Sequence, residues 1–180
     1  MINKVLLISE QTLKKYTLIN DNVDGMYILP AIQSAQDIDL DTIIGPVLNN
    51  KLQQLVKNSD IVQPKYEKYK VLLDEYVTPY LCWQVMTNIQ IAVNFKLSNS
   101  GVVENYDERK NRLDYTHSKA LSDQYQKYAN AYATKLKNYL CANSNQYPEY
   151  HQTLNHEGEE SPRLCSIYLE DDDCCDYKYK

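Results

Sequence analysis

The chain has 180 residues, and its 24 acidic and 19 basic side chains give a net charge of −5. This length is sufficient for one domain with a hydrophobic core, and the acidic balance argues against a general nucleic-acid binder, which presents a basic face. Five cysteines without a Cys-x-x-Cys pair predict free thiols, and the densest apolar window, Leu81 to Leu97, is too rich in amides to span a membrane.

The first third of the chain predicts three helices. Ser9 is a typical N-cap residue, and it precedes a short helix that starts with Glu10. Apolar residues three and four positions apart predict a second helix from Met26 to Ala35. A third helix is expected in the segment LDTIIGPVLNNKLQQLV, capped by Asp39 or Asp41 and bent or broken near Gly45-Pro46.

The stretch from Gln63 to Leu97 combines length with the highest apolar content, and it is expected to be the centre of the fold. Pro64 suits the start of a helix, whereas Thr78-Pro79 should kink or break it, because proline lacks an N–H donor. Beyond Pro79 the apolar residues surround the helix, which predicts burial on most sides. We expect the helices at 41–57 and 112–142 to enclose it.

The remaining sequence predicts a turn, one long helix and a tail. Ser98 to Gly101 is turn-like, and Val102-Val103 favours a short extended piece. Regular apolar spacing from 112 to 142 predicts the longest helix. Residues 151–180 are acidic and contain one strand-like run, Leu164 to Leu169, which predicts a flexible tail or an arm that orders against a partner.

These elements predict an all-α fold. It consists of a small bundle of about four to five helices, two of them long, with a short β-like loop near 101–104 and an extended C-terminal arm. Residues 1–150 form the helical domain, and residues 151–180 form the acidic arm or tail.

The sequence lacks the patterns that accompany common catalytic chemistry. With four glycines, the chain has no Gly-rich phosphate loop. The histidines and cysteines after residue 150 match no common zinc spacing, and the run Asp171 to Asp173 lacks the glycine and distal glutamate of a calcium loop. We therefore expect no catalytic residue, no metal, no cofactor and no enzymatic activity.

The order of elements resembles the small helical head–tail connector proteins of tailed phages, also called adaptor or head-completion proteins. More narrowly, it is similar to the ring proteins of crAss-like and other Bacteroidales phages. The resemblance spans roughly residues 8–150. The stretches that carry it are ISEQTLKKYTLI, AIQSAQDIDLDTIIGPVLNNKL, EYVTPYLCW, KLSNSGVV and NSNQYPEY.

This resemblance implies a structural virion protein in the phage neck, made in the host cytoplasm. Such a protein forms a ring, often of twelve subunits, between the portal and the tail proteins, and DNA passes through its lumen without sequence-specific contacts. It contacts no membrane. The subunit or partner interface is expected to use large apolar and aromatic residues, namely Trp83, Met86, Phe95, Tyr147, Tyr150, Leu164, Ile167, Tyr168 and Leu169.

The same residues also suit an alternative class of function. A monomeric helical module of the cytoplasm that binds or regulates another protein would have the same core, with residues 151–180 as a disordered tail.

Overall fold

A computed structural model describes the backbone of residues 5–19, 23–98, 101–104 and 115–150, and the side chains of residues 5–19, 23–90 and 119–150. The described part is all-α apart from one small hairpin, as the sequence predicts. Its α-helices are α1 (Glu10–Tyr16), α2 (Gly25–Ser34), α3 (Leu40–Ile44), α4 (Pro46–Lys57), α5 (Glu67–Val71), α6 (Thr78–Asn94) and α7 (Tyr115–Ala142). The acidic arm at 151–180 lies outside the described residues.

Two π-helical segments join shorter helices into continuous rods. Ala35–Asp39 connects α2 to α3, and Leu72–Val77 connects α5 to α6. With these joins, the described helices form five rods, of which the one from Glu67 to Asn94 and α7 are the long ones. The bundle of four to five helices with two long members is therefore confirmed.

The expected kink or break at Thr78-Pro79 is replaced by the second π segment, which ends directly before Thr78. In a regular α-helix the ring of Pro79 would clash with the carbonyl four residues earlier. The wider π turn makes room for the ring, and the helix continues without interruption. Short 3-10 turns at Asp60–Val62 and Pro64–Tyr66 precede this rod.

The capping prediction is confirmed for the first helix and wrong for the third. The Ser9 hydroxyl accepts the backbone N–H of Thr12 at 3.1 Å, which satisfies one free donor of α1. Neither Asp39 nor Asp41 caps a helix. The rod runs through them, and it ends at Gly45, whose φ of 78° suits only glycine without strain, before Pro46 opens α4.

Helix α6 lies at the centre of the core. It packs against α7 on one side, and against α2 with the Ala35–Asp39 segment on another, while α1 also contacts it. We expected the 41–57 helix to be its second neighbour, but α2 takes that position. The fully buried side chains come from every rod and include Leu13, Ile28, Ile32, Leu40, Ile44, Leu48, Leu52, Leu72, Leu81, Leu136 and Leu140.

The two long rods are connected through a β-hairpin. Helix α6 ends at Asn94, three residues earlier than expected, and β1 (Phe95–Ser98) follows it directly. β1 pairs antiparallel with β2 (Gly101–Glu104), so that Phe95 lies opposite Glu104 and Ser98 lies opposite Gly101. The β-like loop near 101–104 is thus confirmed. No helix within the described ranges is long and apolar enough to cross a membrane.

A buried amide attaches the N-terminal segment to this core. Gln36 is completely buried, and its side chain accepts the backbone N–H of Leu7 at 2.8 Å and donates to the carbonyl of Val5 at 3.1 Å. The backbone carbonyl of Gln36 accepts a hydrogen bond from Asn49 Nδ2 at 3.1 Å. These bonds satisfy backbone groups that the burial of Leu7 removes from water.

This network generates a stability prediction. Replacing Gln36 with alanine should lower the free energy of unfolding by about 1–3 kcal/mol, because the buried N–H of Leu7 loses its acceptor. Chemical denaturation measures the difference. The matched control is Gln33→Ala, an exposed position on the same rod, which should change stability by less than about 0.5 kcal/mol. Equal effects at both positions would contradict the anchoring role of Gln36.

Candidate functional site

A half-exposed aromatic surface lies where α6 meets α7. The ring centroid of Trp83 is 4.8 Å from that of Tyr128 and 5.9 Å from that of Tyr125. Tyr125 is buried, but Tyr128 remains 41% exposed and Leu121, two turns before it on α7, remains 40% exposed. Aromatic side chains of this kind are enriched in protein–protein contacts.

Lysines border this surface. Lys127 precedes Tyr128, and the ammonium of Lys135 lies 4.9 Å from the ring centroid of Tyr132, which is half-buried on the same side of α7. Within α7 the sequence has four lysines and one aspartate. We name the surface of Trp83, Leu121, Tyr128 and Tyr132, with Lys127 and Lys135, the α7 face.

A second exposed apolar surface lies on the rod that begins with α2. Met26 is 63% exposed, Leu29 is 46% exposed and Ile38, in the π segment, is 62% exposed. Asp24, exposed at the start of α2, accepts the backbone N–H of Met26, and Asp37 directly precedes Ile38. We name the surface of Met26, Leu29 and Ile38, with Asp24 and Asp37, the α2 face.

The sequence interpretation missed the α2 face. It grouped all apolar residues from Met26 to Ala35 on one helical face. In the structure Ile28, Ile32 and Ala35 are buried at spacings of four and three residues, whereas Met26 and Leu29 point outward. The sequence contained a signal for this difference. The three buried residues and the two exposed ones are spaced so that they cannot all lie on one narrow side of a helix.

The predicted interface residues are in different environments. Trp83 lies on the α7 face, whereas Met86 is buried within the core. Phe95 begins β1, and its side chain lies outside the described part. The four candidates Leu164, Ile167, Tyr168 and Leu169 also lie outside the described residues.

Tyr147 is completely buried by this chain's own residues. Its hydroxyl donates to the carbonyl of Lys68 at 2.9 Å and lies 3.1 Å from the hydroxyl of Tyr139. The ring meets Tyr69 edge-on with centroids 5.6 Å apart. Intramolecular contacts therefore account for the burial of Tyr147.

Further contacts hold the segment after α7 in place. The hydroxyl of Tyr69 donates to both carboxylate oxygens of Glu149, at 3.1 and 2.9 Å, and Lys68 Nζ donates to the carbonyl of Gln146. Tyr150 packs half-buried against the core. Together with Tyr147, these contacts tie residues 146–150 to the helical core.

Burial controls the ionisation of this region. It raises the pKa of the Tyr147 hydroxyl above its ordinary value, and the hydrogen bond to Tyr139 raises it further. The pKa of Tyr69 is raised first by burial and then by the hydrogen bond to Glu149. In α6, burial raises the pKa of the Cys82 thiol to about 12, so this cysteine stays protonated at neutral pH.

The described side chains act mainly through packing and hydrogen bonding. Within the described ranges, no group of three or more His, Cys, Asp or Glu residues is arranged to hold a metal ion. The two faces on α2 and α7 are the candidate site because they expose large apolar side chains, which suit recognition of another protein surface.

The buried tyrosine generates a second prediction. Tyr147→Phe should lower the free energy of unfolding by about 1–3 kcal/mol, because the carbonyl of Lys68 loses a buried donor. Thermal or chemical denaturation measures the loss. Tyr128→Phe removes the same hydroxyl from an exposed ring and serves as the control, with an expected change below about 0.5 kcal/mol. If Tyr147→Phe leaves the free energy of unfolding unchanged, the hydrogen bond contributes nothing to stability.

The raised pKa values also predict how stability depends on pH. In the unfolded chain Cys82 and the tyrosines ionise near 9.0 and 10.0, whereas the folded protein keeps their protons to higher pH. The free energy of unfolding should therefore be greatest below about pH 9 and should fall as the pH rises further. Urea denaturation up to about pH 11 measures this fall. Cys82→Ala should reduce the loss of stability that begins near pH 9, where the thiol of the unfolded chain ionises. A flat profile across this range would contradict the prediction.

Comparison with known proteins identifies a family. No curated protein and no solved structure matches the sequence significantly. One family profile, described as a family of unknown function (DUF6712), matches residues 40–159. The matched residues include helices α3 to α7 and the α7 face, but they exclude Met26, Leu29 and Ile38. Since the match covers more than half of the chain, this protein belongs to the DUF6712 family.

Proposed function

We propose that this protein is a structural virion protein of a tailed phage, which forms a ring in the neck between portal and tail. The observation that carries the proposal is the pair of exposed apolar faces on different helices, α2 and α7. Each subunit of a cyclic ring contacts its two neighbours through two different surfaces. A chain with two such faces suits this form of assembly.

The fold class is compatible with this role. The resemblance to head–tail connector proteins implies a small helical domain with two long helices and a short β element between them. The described elements follow this order, with α6, the β1–β2 hairpin and α7 in succession. The resemblance and the fold therefore support the same function.

The acidic charge suits a channel for DNA. The net charge of −5 gives the chain little attraction for phosphates, and a weakly adhesive lumen allows a genome to slide during packaging and ejection. We propose that DNA passes through the ring without sequence-specific contacts.

The proposed partners are other copies of this chain, in a ring that often has twelve subunits, together with the portal and other neck or tail proteins. Residues 151–180 include the apolar run Leu164 to Leu169. We propose that this acidic arm contacts a neighbouring virion protein.

Purified virions provide the test. If the proposal is correct, this protein co-purifies with the particles through a density gradient, in an amount similar to that of the portal, and immunogold labelling places it at the neck. Mass spectrometry of the gradient fractions measures the amount. The major capsid protein is the positive control, and a phage replication enzyme is the negative control.

The competing function predicts a different distribution. A monomeric helical module that binds a cytoplasmic protein would remain in the soluble fraction of the lysate. Absence from virions, with the controls distributed as expected, would therefore contradict the proposed role in the neck.

A further inference from the structure

We infer that neighbouring copies bind head to tail, with the α2 face of one copy against the α7 face of the next. This inference deepens the proposed function and rests on it, since a ring requires contact between copies. It specifies which surfaces meet, and the occupant of each face is a second copy of this chain.

The first argument is the one-sided charge of the α2 region. From Tyr16 to Asn50 the sequence has five aspartates and no lysine, arginine or glutamate. Two of these aspartates are close in sequence to exposed apolar residues of the α2 face, Asp24 before Met26 and Asp37 before Ile38. The face is therefore apolar in the middle, with aspartates at its border.

The second argument is the opposite charge on α7. Its four lysines and one aspartate give this helix a local charge of +3, because 4 − 1 = 3. Lys127 and Lys135 flank the half-exposed rings of Tyr128 and Tyr132. The α7 face is therefore apolar in the middle and basic at its border.

These charges select between the possible pairings. Two α2 faces in contact would bring aspartates together, and two α7 faces would bring lysines together, both of which are repulsive. The unlike pairing places aspartates beside lysines and buries the apolar residues of both faces. It is also a heterologous contact, which is the kind that generates rings rather than closed two-fold dimers.

The arrangement of the two faces within one copy allows the contact to repeat. Helices α2 and α7 both pack against α6, and α3, at the far end of the α2 rod, also contacts α7. The exposed residues of the two faces lie on different helices, so engagement of one face by a neighbour leaves the other face available for the next copy. Each added copy repeats the same rotation until the ring closes.

A mixing experiment with two variants tests the pairing. Leu29→Arg places a positive charge on the α2 face, and Tyr128→Glu places a negative charge on the α7 face. Sedimentation-velocity ultracentrifugation of the purified full chain should show large assemblies for the wild type, and each single variant should return to the 21.0 kDa monomer. An equimolar mixture should restore association and give at least a heterodimer of twice that mass, because each variant keeps one intact and complementary face.

Controls separate assembly from folding. Val62→Arg changes an exposed apolar residue outside both faces, 68% exposed in the turn before α5, and it should assemble like the wild type. Circular dichroism confirms that each variant is folded. If either variant fails to fold, Ile38→Arg replaces the first and Leu121→Glu replaces the second. Rising ionic strength should weaken the wild-type assembly, because salt screens the charges at the border of the contact.

Several outcomes would overturn the inference. A single variant that forms homodimers would indicate a like-to-like contact, and variants that assemble like the wild type would exclude these faces. A wild type that remains monomeric at high concentration and low salt would exclude contact between copies through them. These results are distinguishable from failure of the proposed function, which depends on whether the protein is present in virions.

Discussion

The antiparallel packing of α6 against α7 is the contact on which the rest of the structure depends. Helix α6 is apolar on most sides, so it is stable only when other elements cover it. Helix α7 covers one side with a stripe that includes the fully buried Ala129, whose small side chain permits close approach. The stacked rings of Tyr76 and Tyr139, with centroids 4.0 Å apart, hold the register of the two rods. The α2 rod and α1 then pack on the sides that remain.

Neutral hydrogen bonds attach both ends of the described chain to this core. The amide of Gln36 holds the N-terminal segment, and the hydroxyl of Tyr147 holds the segment that follows α7. Neutral groups carry a smaller desolvation cost than buried ions, provided that each has a partner. Among the described side chains, no buried polar atom lacks a hydrogen-bond partner. Both ends of the described chain are therefore tied to the core by hydrogen bonds.

The proposed ring follows from what this packing leaves uncovered. The core occupies the inner sides of the α2 rod and α7, so their outer sides carry apolar residues that no described element of the same chain covers. Aspartates accumulate on one of these surfaces and lysines on the other. Such a division gives one chain two unlike and complementary surfaces, which is a physical basis for the proposed cyclic assembly.

Local sequence signals determined the helical class, the Ser9 cap, the short β-like piece near 101–104 and the long helix that ends near residue 142. These features depend on capping, periodicity and turn residues within a few positions of each other. Tertiary structure decided that Pro79 follows a π segment instead of a break, that α2 covers α6, and that Tyr147 is buried whereas Leu29 is exposed. The reason is that periodicity identifies an apolar residue but not its neighbour. Which of two apolar sides is buried depends on the elements that pack against it, and those come from distant parts of the chain.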